Sequence, residues 1–405
     1  MGQNQKKINL SRREFSRNTA LGLGAICSWP LLGNVSLASG VSDKIFVVLE
    51  LSGGNDGLNT VVPYGDDAYY RHRPNLGIPE ENLLKLDEYY GLHQSMRGVE
   101  RLYEDGKVAI VHGCGYKDPS FSHFTSLSYW HTAAPNSGEE YGWLGRLADK
   151  MDPVGSEGFL INIDKSQSLA VRSRRHLPVV FDEPSRFVRK ATYEQTDVAE
   201  FLPSSEGLKN PTRKFLVDAA RSARNSAELV RDAWESYSTP VDYGLVSLDL
   251  PKIASLIAAG MSSRLYYTTF RNFAFDTHVH QANLHSRLLT YASDAISGFY
   301  QDLVRLGRAE DVVLLVFSEF GRRVPENTNL GTDHGAANAL FVIGENVKGG
   351  HYGDRPSLTE LDPGDNLIYT TDFRQVYASI IENWFDVDPV PILHDEFATL
   401  DLFGS

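Results

Sequence analysis

The chain has 405 residues, 42% hydrophobic side chains and a formal charge of −13 at pH 7. This length and apolar content are typical of a globular protein with a sizeable core, and they exclude a chain that is disordered throughout. The acidic balance argues against nucleic acid as a partner and is compatible with cation binding.

The first residues are typical of an export signal. In NLSRREFSRNTALGLGAICSWPLLGNVSLASG, the pair Arg12 and Arg13 precedes an apolar run, and small residues follow as far as Ala38. We predict a twin-arginine signal peptide at residues 1–38, recognised by the twin-arginine export machinery, and a periplasmic or secreted location. The alternative is an N-terminal transmembrane anchor, but the apolar run is broken by Pro30 and is short for a membrane span. We therefore expect no integral membrane segment in the mature chain.

Cleavage after Ala38 changes the composition of the mature chain in two ways. It removes five basic side chains and one acidic side chain, so the formal charge falls from −13 to −17. It also removes Cys27, which leaves Cys114 as the only cysteine. One cysteine permits neither an intramolecular disulfide nor a zinc site built from thiolates. Any metal must therefore be bound by carboxylates and imidazoles.

Strand patterns and helix patterns alternate along residues 39–405, which we predict to be one α/β domain. The run IFVVLEL (45–51) is apolar apart from Glu50, and it predicts a buried strand, as does VAIVH (108–112); a helix is expected to begin near Ser122. Residues 150–265 predict a partly helical insertion with short strand-like pieces. Further on, LYYTTF and VVLLVF predict strands around a helix of nearly thirty residues, ALFVIG predicts another strand, and TDFRQVYASIIENWF predicts a closing helix. Such alternation predicts a three-layer α/β/α sandwich with a mostly parallel central sheet.

Four of the predicted strands are followed by compact polar clusters. In a parallel sheet, ligands bind at the carboxyl ends of the strands, so these clusters are the candidate site. The candidates, in chain order, are Asp56, Ser122, His123, Asp276, His278 or His280, Glu319, Arg322, Asp333 and His334. A mixed set of carboxylates and imidazoles suits Zn, Mn or Fe, or Ca or Mg where oxygens dominate. We therefore predict one or two divalent metal ions.

Each cluster also has an ordinary structural explanation. GGNDG forms a tight turn with Asn and Gly, Ser122 caps its helix, Asp276 or Thr277 caps the next helix, and Glu319 pairs with a neighbouring arginine. All of these explanations would have to apply at once if there were no metal site. A single metal site accounts for the clusters together, so we favour it. Several enzyme classes lack their main residues here, because the sequence contains no G-x-S-x-G elbow, no P-loop and no H-E-x-x-H.

A set of motifs in fixed order carries a family resemblance. LSGGNDGLNTVVP, SHF, FDTHVHQ, VVLLVFSEFGRRVPENTNLGTDHG and TDFRQVY resemble the bacterial domain-of-unknown-function family numbered fifteen hundred and one, placed with the alkaline phosphatase and sulfatase superfamily. The resemblance covers essentially all of the mature chain and implies an alkaline phosphatase-like fold around a metal-centred hydrolytic site.

The resemblance also implies roles for individual residues. The metal ligands implied are Asp56, Asp276, His278, Asp333 and His334, with Glu319 as a replacement for a missing ligand and His351 as a weaker candidate. Ser122 matches the nucleophile of the superfamily at the start of a helix, where the helix dipole favours an anion. The spacing usual in the superfamily would select His280, whereas the DTH motif selects His278, which we favour. The C-x-P-x-R segment of formylglycine sulfatases is absent.

The reaction implied is a two-step transfer from a phosphate or sulfate ester, on a small anionic ester or an envelope polymer. Ser122 attacks phosphorus or sulfur, His123 or Arg322 stabilises the developing charge, and water releases the product. The main alternative is a non-catalytic, metal-stabilised envelope or secreted protein that binds a partner or polymer. A metal-free serine hydrolase built on Ser122, His123 and Asp276 is less favoured, because neighbours on a helix do not face each other.

Overall fold

The computed structural model describes residues 43–187 and 208–404. The predicted signal peptide at residues 1–38 lies outside these ranges. Within them, none of the helices combines the length and the apolar character that crossing a membrane requires.

Twelve strands and ten α-helices are found in the described part of the chain. The strands β1 to β12 are, in order, Ile45–Leu51, Val61–Val62, Leu83–Lys85, Gly91–His93, Val108–Gly115, Leu160–Ile163, Val179–Phe181, Leu265–Phe270, Val312–Phe317, Asn338–Gly344, Gly350–Tyr352 and Thr371–Asp372. The helices α1 to α10 are Gly57–Thr60, Asp67–His72, Arg97–Glu104, His123–Thr132, Trp143–Met151, Pro211–Ser236, Leu250–Ala258, Gln281–Arg305, Phe373–Ser379 and Val390–Leu393.

Nine of the strands form one central sheet. Its order is β11-β5-β10-β9-β1-β8-β6-β7, with β12 paired to β5, while β2, β3 and β4 form a separate antiparallel sheet. All pairings in the central sheet are parallel except those of β10, which is antiparallel to β5 and β9. The carboxyl ends of β1, β5, β8 and β9 therefore share one edge with the start of β10.

Both faces of the sheet are covered by helices. In β1, Ile45, Val47 and Leu49 pack into a core cluster that includes side chains of α3, α7 and α8. The alternate residues Phe46 and Val48 pack into a second cluster with side chains of α4, α5 and α9. A strand that is buried on both faces needs apolar residues at successive positions, which explains the continuous run in β1. The predicted three-layer α/β/α fold with a mostly parallel sheet is confirmed.

The charged residue in β1 connects the sheet to α4. Glu50 is buried, and its Oε2 accepts hydrogen bonds from Nε2 of His131, at 2.8 Å, and from the hydroxyl of Tyr267. These contacts fix the distal part of the helix that carries His123 at its first position. The buried charge thus has a positioning role in the fold.

The structure refines three of the predicted elements. Residues 150–265 contribute β6 and β7 to the central sheet, in addition to α6 and α7. Helix α8 has 25 residues, because His280 adopts a left-handed conformation with φ +46° directly before it. The closing helix is divided into α9 and a π-helical turn at Ile380–Trp384.

Candidate metal centre

Four side chains from different parts of the sequence meet at the carboxyl edge of the central sheet. They are His123 at the start of α4, Asp276 and His278 after β8, and His334 before β10. Oδ2 of Asp276 lies 3.5 Å from Nε2 of His123. Its Oδ1 lies 2.9 Å from Nε2 of His278 and 3.1 Å from Nε2 of His334. We call these four residues the histidine cluster.

The ring of His123 is oriented by Glu319. Nδ1 of His123 lies 2.7 Å from Oε1 of Glu319, whose side chain is fully buried. The Glu319 carboxylate also accepts hydrogen bonds from the backbone N–H groups of Gly53 and Gly54 and from the hydroxyl of Ser318. A carboxylate that already receives three donors can only accept a further hydrogen bond, so Nδ1 of His123 carries the ring proton. Nε2 of His123 is consequently a lone-pair donor, and it is buried with no hydrogen-bond partner.

The other two histidines are oriented in the same manner. Nδ1 of His334 lies 2.7 Å from the backbone oxygen of Phe121, which can only accept a hydrogen bond. Nδ1 of His278 lies 3.3 Å from Oδ1 of Asp333, an oxygen that also accepts from Nδ2 of Asn327 at 3.1 Å. Each ring therefore directs an unprotonated Nε2 towards the cluster.

This arrangement brings two nitrogen lone pairs close together. Nε2 of His278 and Nε2 of His334 are 2.9 Å apart. With both ring protons on Nδ1, no proton remains for a hydrogen bond between these nitrogens. A positive charge at the cluster would remove the repulsion, and atoms of His123, Asp276 and His334 that could bind a metal all lie within 4.8 Å of one another.

Asp276 is ionised at the centre of the cluster. Burial acts to raise its pKa, but the hydrogen bond from Arg322 and the positive charge of that guanidinium lower the pKa to about 2. Burial also lowers the pKa of His334, so this ring is neutral at pH 7. The cluster therefore combines one carboxylate with three imidazoles, which is a metal-binding set.

Arg322 lies beneath the cluster and its side chain is fully buried. One Nη2 hydrogen bond goes to Oδ1 of Asp276, at 2.8 Å. The other guanidinium donors contact the backbone oxygens of Gly53, Gly54, Phe275 and Thr332. The side chain thus connects the loops that follow β1 and β8 with the loop that precedes β10, and it orients Asp276.

Asp56 contacts a different set of residues. It is fully buried, and its Oδ2 accepts hydrogen bonds from Nη1 of Arg73, at 2.7 Å, and from Nε2 of Gln281. Burial acts to raise the pKa of Asp56, and the Arg73 guanidinium lowers it below its usual value. Oε1 of Gln281 accepts from the hydroxyls of Thr277 and Thr332, which precede His278 and Asp333. Asp56 therefore supports the loops around the cluster through Gln281.

The remaining candidates occupy three separate positions. Ser122 is exposed at the N-cap of α4 in an extended conformation, and its side chain makes no capping hydrogen bond. His280 is exposed at the N-cap of α8. His351 lies 2.8 Å from His112 and 3.6 Å from Asp87, so it belongs to another group of side chains. Of the two alternatives after β8, it is His278 that reaches the cluster.

Several residues of this site were missed at the sequence level. Arg73 and Gln281 hold Asp56, Asn327 holds Asp333, and the backbone of Phe121 holds His334. No motif in the sequence indicates these contacts. The one available signal was the position of Asp56 after a buried strand, since a charge that becomes buried there requires a partner.

The fold and the cluster define a three-layer α/β/α protein with a candidate metal centre at the carboxyl edge of its sheet. Residues 254–375 match the sequence model of a family described as Protein of unknown function (DUF1501). The family resemblance predicted from the sequence is confirmed over this segment. No curated protein matches the chain.

Similar solved structures include a protein in the alkaline phosphatase superfamily from Vibrio parahaemolyticus, with 10% identity, a TM-score of 0.42, and coverage of 88% of this chain and 71% of that chain. The C-terminal periplasmic domain of EcEptC from Escherichia coli has 10% identity and a TM-score of 0.37, with coverage of 76% and 74%. The phosphonate monoester hydrolase SpPMH from Silicibacter pomeroyi has 9% identity and a TM-score of 0.35, with coverage of 89% and 78%. At these low identities and TM-scores, no residue role follows from the alignments.

Proposed function

We propose that this protein is an exported hydrolase of phosphate or sulfate esters that uses a divalent metal and a serine nucleophile. The observation that carries the proposal is the convergence of three unprotonated imidazole nitrogens on one ionised carboxylate. Such a set is costly to bring together without a cation, because two of the nitrogens are 2.9 Å apart. The substrate would be a small ester or an envelope polymer that bears the anionic group.

The donor set favours some metals over others. His123, His278, His334 and Asp276 offer three nitrogens and a carboxylate, which suits Zn²⁺, Mn²⁺ or Fe²⁺ better than Ca²⁺ or Mg²⁺, since the latter prefer oxygen ligands. We propose a single ion in this cluster. Asp56, which was also predicted as a metal ligand, forms an ion pair with Arg73.

The proposed ligands have supports that match the pattern of known metal sites. Histidine ligands commonly donate their second ring N–H to a carboxylate or a carbonyl, which fixes the tautomer. Glu319 supports His123 and Asp333 supports His278 in this manner. We therefore assign Glu319 and Asp333 to orientation of the rings, and Arg322 to orientation of Asp276.

Ser122 is the proposed nucleophile because of its position. It immediately precedes His123, it is exposed, and its hydroxyl makes no capping hydrogen bond. The first-turn N–H groups of α4 lack partners within the helix, and together with the helix dipole they favour an anionic ester at this end. The metal, when bound, would stabilise negative charge that develops on the ester oxygens. Ser122 would attack phosphorus or sulfur as its proton passes to water, and the bond to the ester oxygen would break so that the alcohol leaves with a proton from water. A second water would then attack the seryl ester, release phosphate or sulfate and restore Ser122.

Two measurements test this proposal. The metal content of the purified protein should be close to one ion per chain, and a panel of phosphate and sulfate esters should include at least one substrate. Ser122→Ala should abolish turnover while retaining the metal. Ser128→Ala, a serine in the same helix whose hydroxyl bonds to the backbone oxygen of Thr125, serves as the matched control and should retain activity.

Other outcomes favour the alternatives. A folded, metal-loaded protein without activity on any ester would favour a non-catalytic protein that binds a partner or polymer. Activity that persists after complete removal of the metal would favour a metal-free serine hydrolase. Full activity in Ser122→Ala would contradict the serine nucleophile.

A further inference from the structure

Aromatic side chains surround the outer side of the histidine cluster. Phe124 follows His123 in α4 and is 78% exposed, and Phe121, whose backbone oxygen holds His334, is 40% exposed. Phe273, in the loop after β8, is half-buried. We call Phe121, Phe124 and Phe273 the aromatic rim. Single exposed apolar side chains are common, but a group of them beside polar functional residues is typical of a binding surface.

The rim is in direct contact with the cluster. The ring of Phe273 lies 4.7 Å from the ring of His123 and 5.8 Å from the ring of Phe124, in an edge-to-face arrangement with the latter. Phe320, which is buried, packs against His123 and His334. The ring of His123 therefore contacts both a buried phenyl ring and the half-buried ring of Phe273.

The backbone at Phe273 is strained. Asn272 and Phe273 have φ values of +63° and +49°, a conformation that bulky residues rarely adopt. A Cβ atom at Gly53 would lie 2.8 Å from the carbonyl carbon of Phe273, so this close approach requires glycine after β1. Strain of this kind persists where the surrounding structure enforces it and is concentrated at functional sites.

From these contacts we propose that the aromatic rim is a subsite for an apolar, preferably aromatic, group on the alcohol side of the ester. This inference rests on the proposed function, since the anionic group of the same ester would lie at the histidine cluster. An aromatic ring placed there would cover Phe124 and pack edge-to-face or in an offset stack against Phe273, which are the favoured geometries for aromatic pairs. Small hydrophilic esters would leave the rim uncovered.

Binding of non-hydrolysable probes to the metal-loaded mature protein tests the inference by calorimetry. Phenylphosphonate should bind about tenfold more tightly than methylphosphonate, because only the phenyl ring can pack against the rim. Phe124→Ser should remove this preference and leave the affinity for methylphosphonate unchanged. Leu245→Ser is the matched control: Leu245 is 83% exposed in the segment between α6 and α7, and the substitution should leave both affinities unchanged.

The outcomes separate this inference from the proposed function. Equal affinities for the two probes, or an unchanged preference in Phe124→Ser, would overturn the rim as a subsite while leaving ester hydrolysis intact. Absence of binding by either probe, together with absence of hydrolysis, would overturn both. Sedimentation with phosphatidylcholine vesicles that is lost in Phe124→Ser, without any preference for phenylphosphonate, would assign the rim to a lipid surface and overturn the inference.

Discussion

Replacement of Glu319 by glutamine should weaken metal binding at the histidine cluster. The glutamine side chain has nearly the same shape, but it exchanges one acceptor oxygen for an NH₂ group. The carboxylate of Glu319 faces Nδ1 of His123, at 2.7 Å, on one side and the N–H groups of Gly53 and Gly54 on the other. Either orientation of the amide therefore places a donor against a donor.

The magnitude follows from these two orientations. If the NH₂ group faces His123, Nδ1 must lose its proton and Nε2 must carry it, so Nε2 no longer has a lone pair for the metal. If the NH₂ group faces Gly53 and Gly54, their buried N–H groups lose their acceptor, at a cost of about 1–3 kcal/mol. Loss of such a supporting contact typically lowers metal affinity 10- to 100-fold, which corresponds to about 1.4–2.7 kcal/mol.

The assay is a titration of the mature protein with Zn²⁺ in the presence of a competing chelator, with far-UV circular dichroism as a check of folding. Glu326→Gln is the matched control. Glu326 also accepts hydrogen bonds from two backbone N–H groups, but these belong to Asn75 and Leu76 and not to the cluster residues. The control should bind Zn²⁺ with the wild-type affinity.

An unchanged dissociation constant in a folded Glu319→Gln protein would refute the reasoning. It would mean that the tautomer of His123 is not set by Glu319, or that His123 is not a ligand. The same titration on His123→Ala would then distinguish these two explanations, because only a ligand would lower the affinity when it is removed.

Two further predictions concern the buried ionisable side chains of Arg73, Asp56 and His285. Arg73→Met leaves Asp56 as a buried carboxylate with only the Gln281 amide as a donor, and the free energy of unfolding in urea should fall by about 3–5 kcal/mol. Addition of Asp56→Asn should recover part of this loss, and a loss below about 1 kcal/mol in the single variant would contradict a stabilising ion pair. Burial lowers the pKa of His285 from 6.5 to about 3. Between these two pH values the unfolded chain binds a proton at His285 and the folded chain does not. The free energy of unfolding therefore falls as the pH decreases from 6.5 towards 3. His285→Gln should therefore reduce the slope of the unfolding free energy against pH by about 1.4 kcal/mol per pH unit in this interval. Denaturation curves measured from pH 6 to pH 4 test this, and an unchanged slope would contradict the prediction.

The sequence was most informative where the local pattern and the tertiary environment agree. β9 is continuously apolar, and β1 is apolar apart from Glu50, because both strands lie at the centre of the sheet. Their bounds agree closely with the predicted runs. The position of the candidate site also follows from topology, since parallel strands place the residues after them at one edge. The antiparallel direction of β10 was not predicted, yet it places His334, which precedes that strand, at the same edge.

The roles of individual side chains were harder to predict because they depend on contacts that are distant in sequence. Asp333 and His334 are adjacent, and both were expected to face one ion. In the structure, the Asp333 carboxylate contacts His278 and Asn327, while His334 Nε2 faces Asp276. The conformation of the loop determines which way each side chain points. Contacts of Thr332 with Arg322 and Gln281 fix that conformation, and no local sequence pattern reveals these contacts.

Exposure provides a physical reason to assign Glu319 and Arg322 to support. Asp333, whose side chain is 48% exposed, is assigned to support by its contact with His278 instead. The side chains of Glu319 and Arg322 are 0% exposed, and a charge that is fully buried must be satisfied by fixed protein partners when the chain folds. Such a group has little capacity left for a ligand that arrives from solvent. In contrast, the side chains of Asp276 and His278 are 32% and 38% exposed, so they remain accessible to an incoming ion. The motifs do not indicate burial, so Glu319 and Asp276 were equivalent candidates in the sequence. Their difference in burial assigns Glu319 to support and Asp276 to the proposed metal.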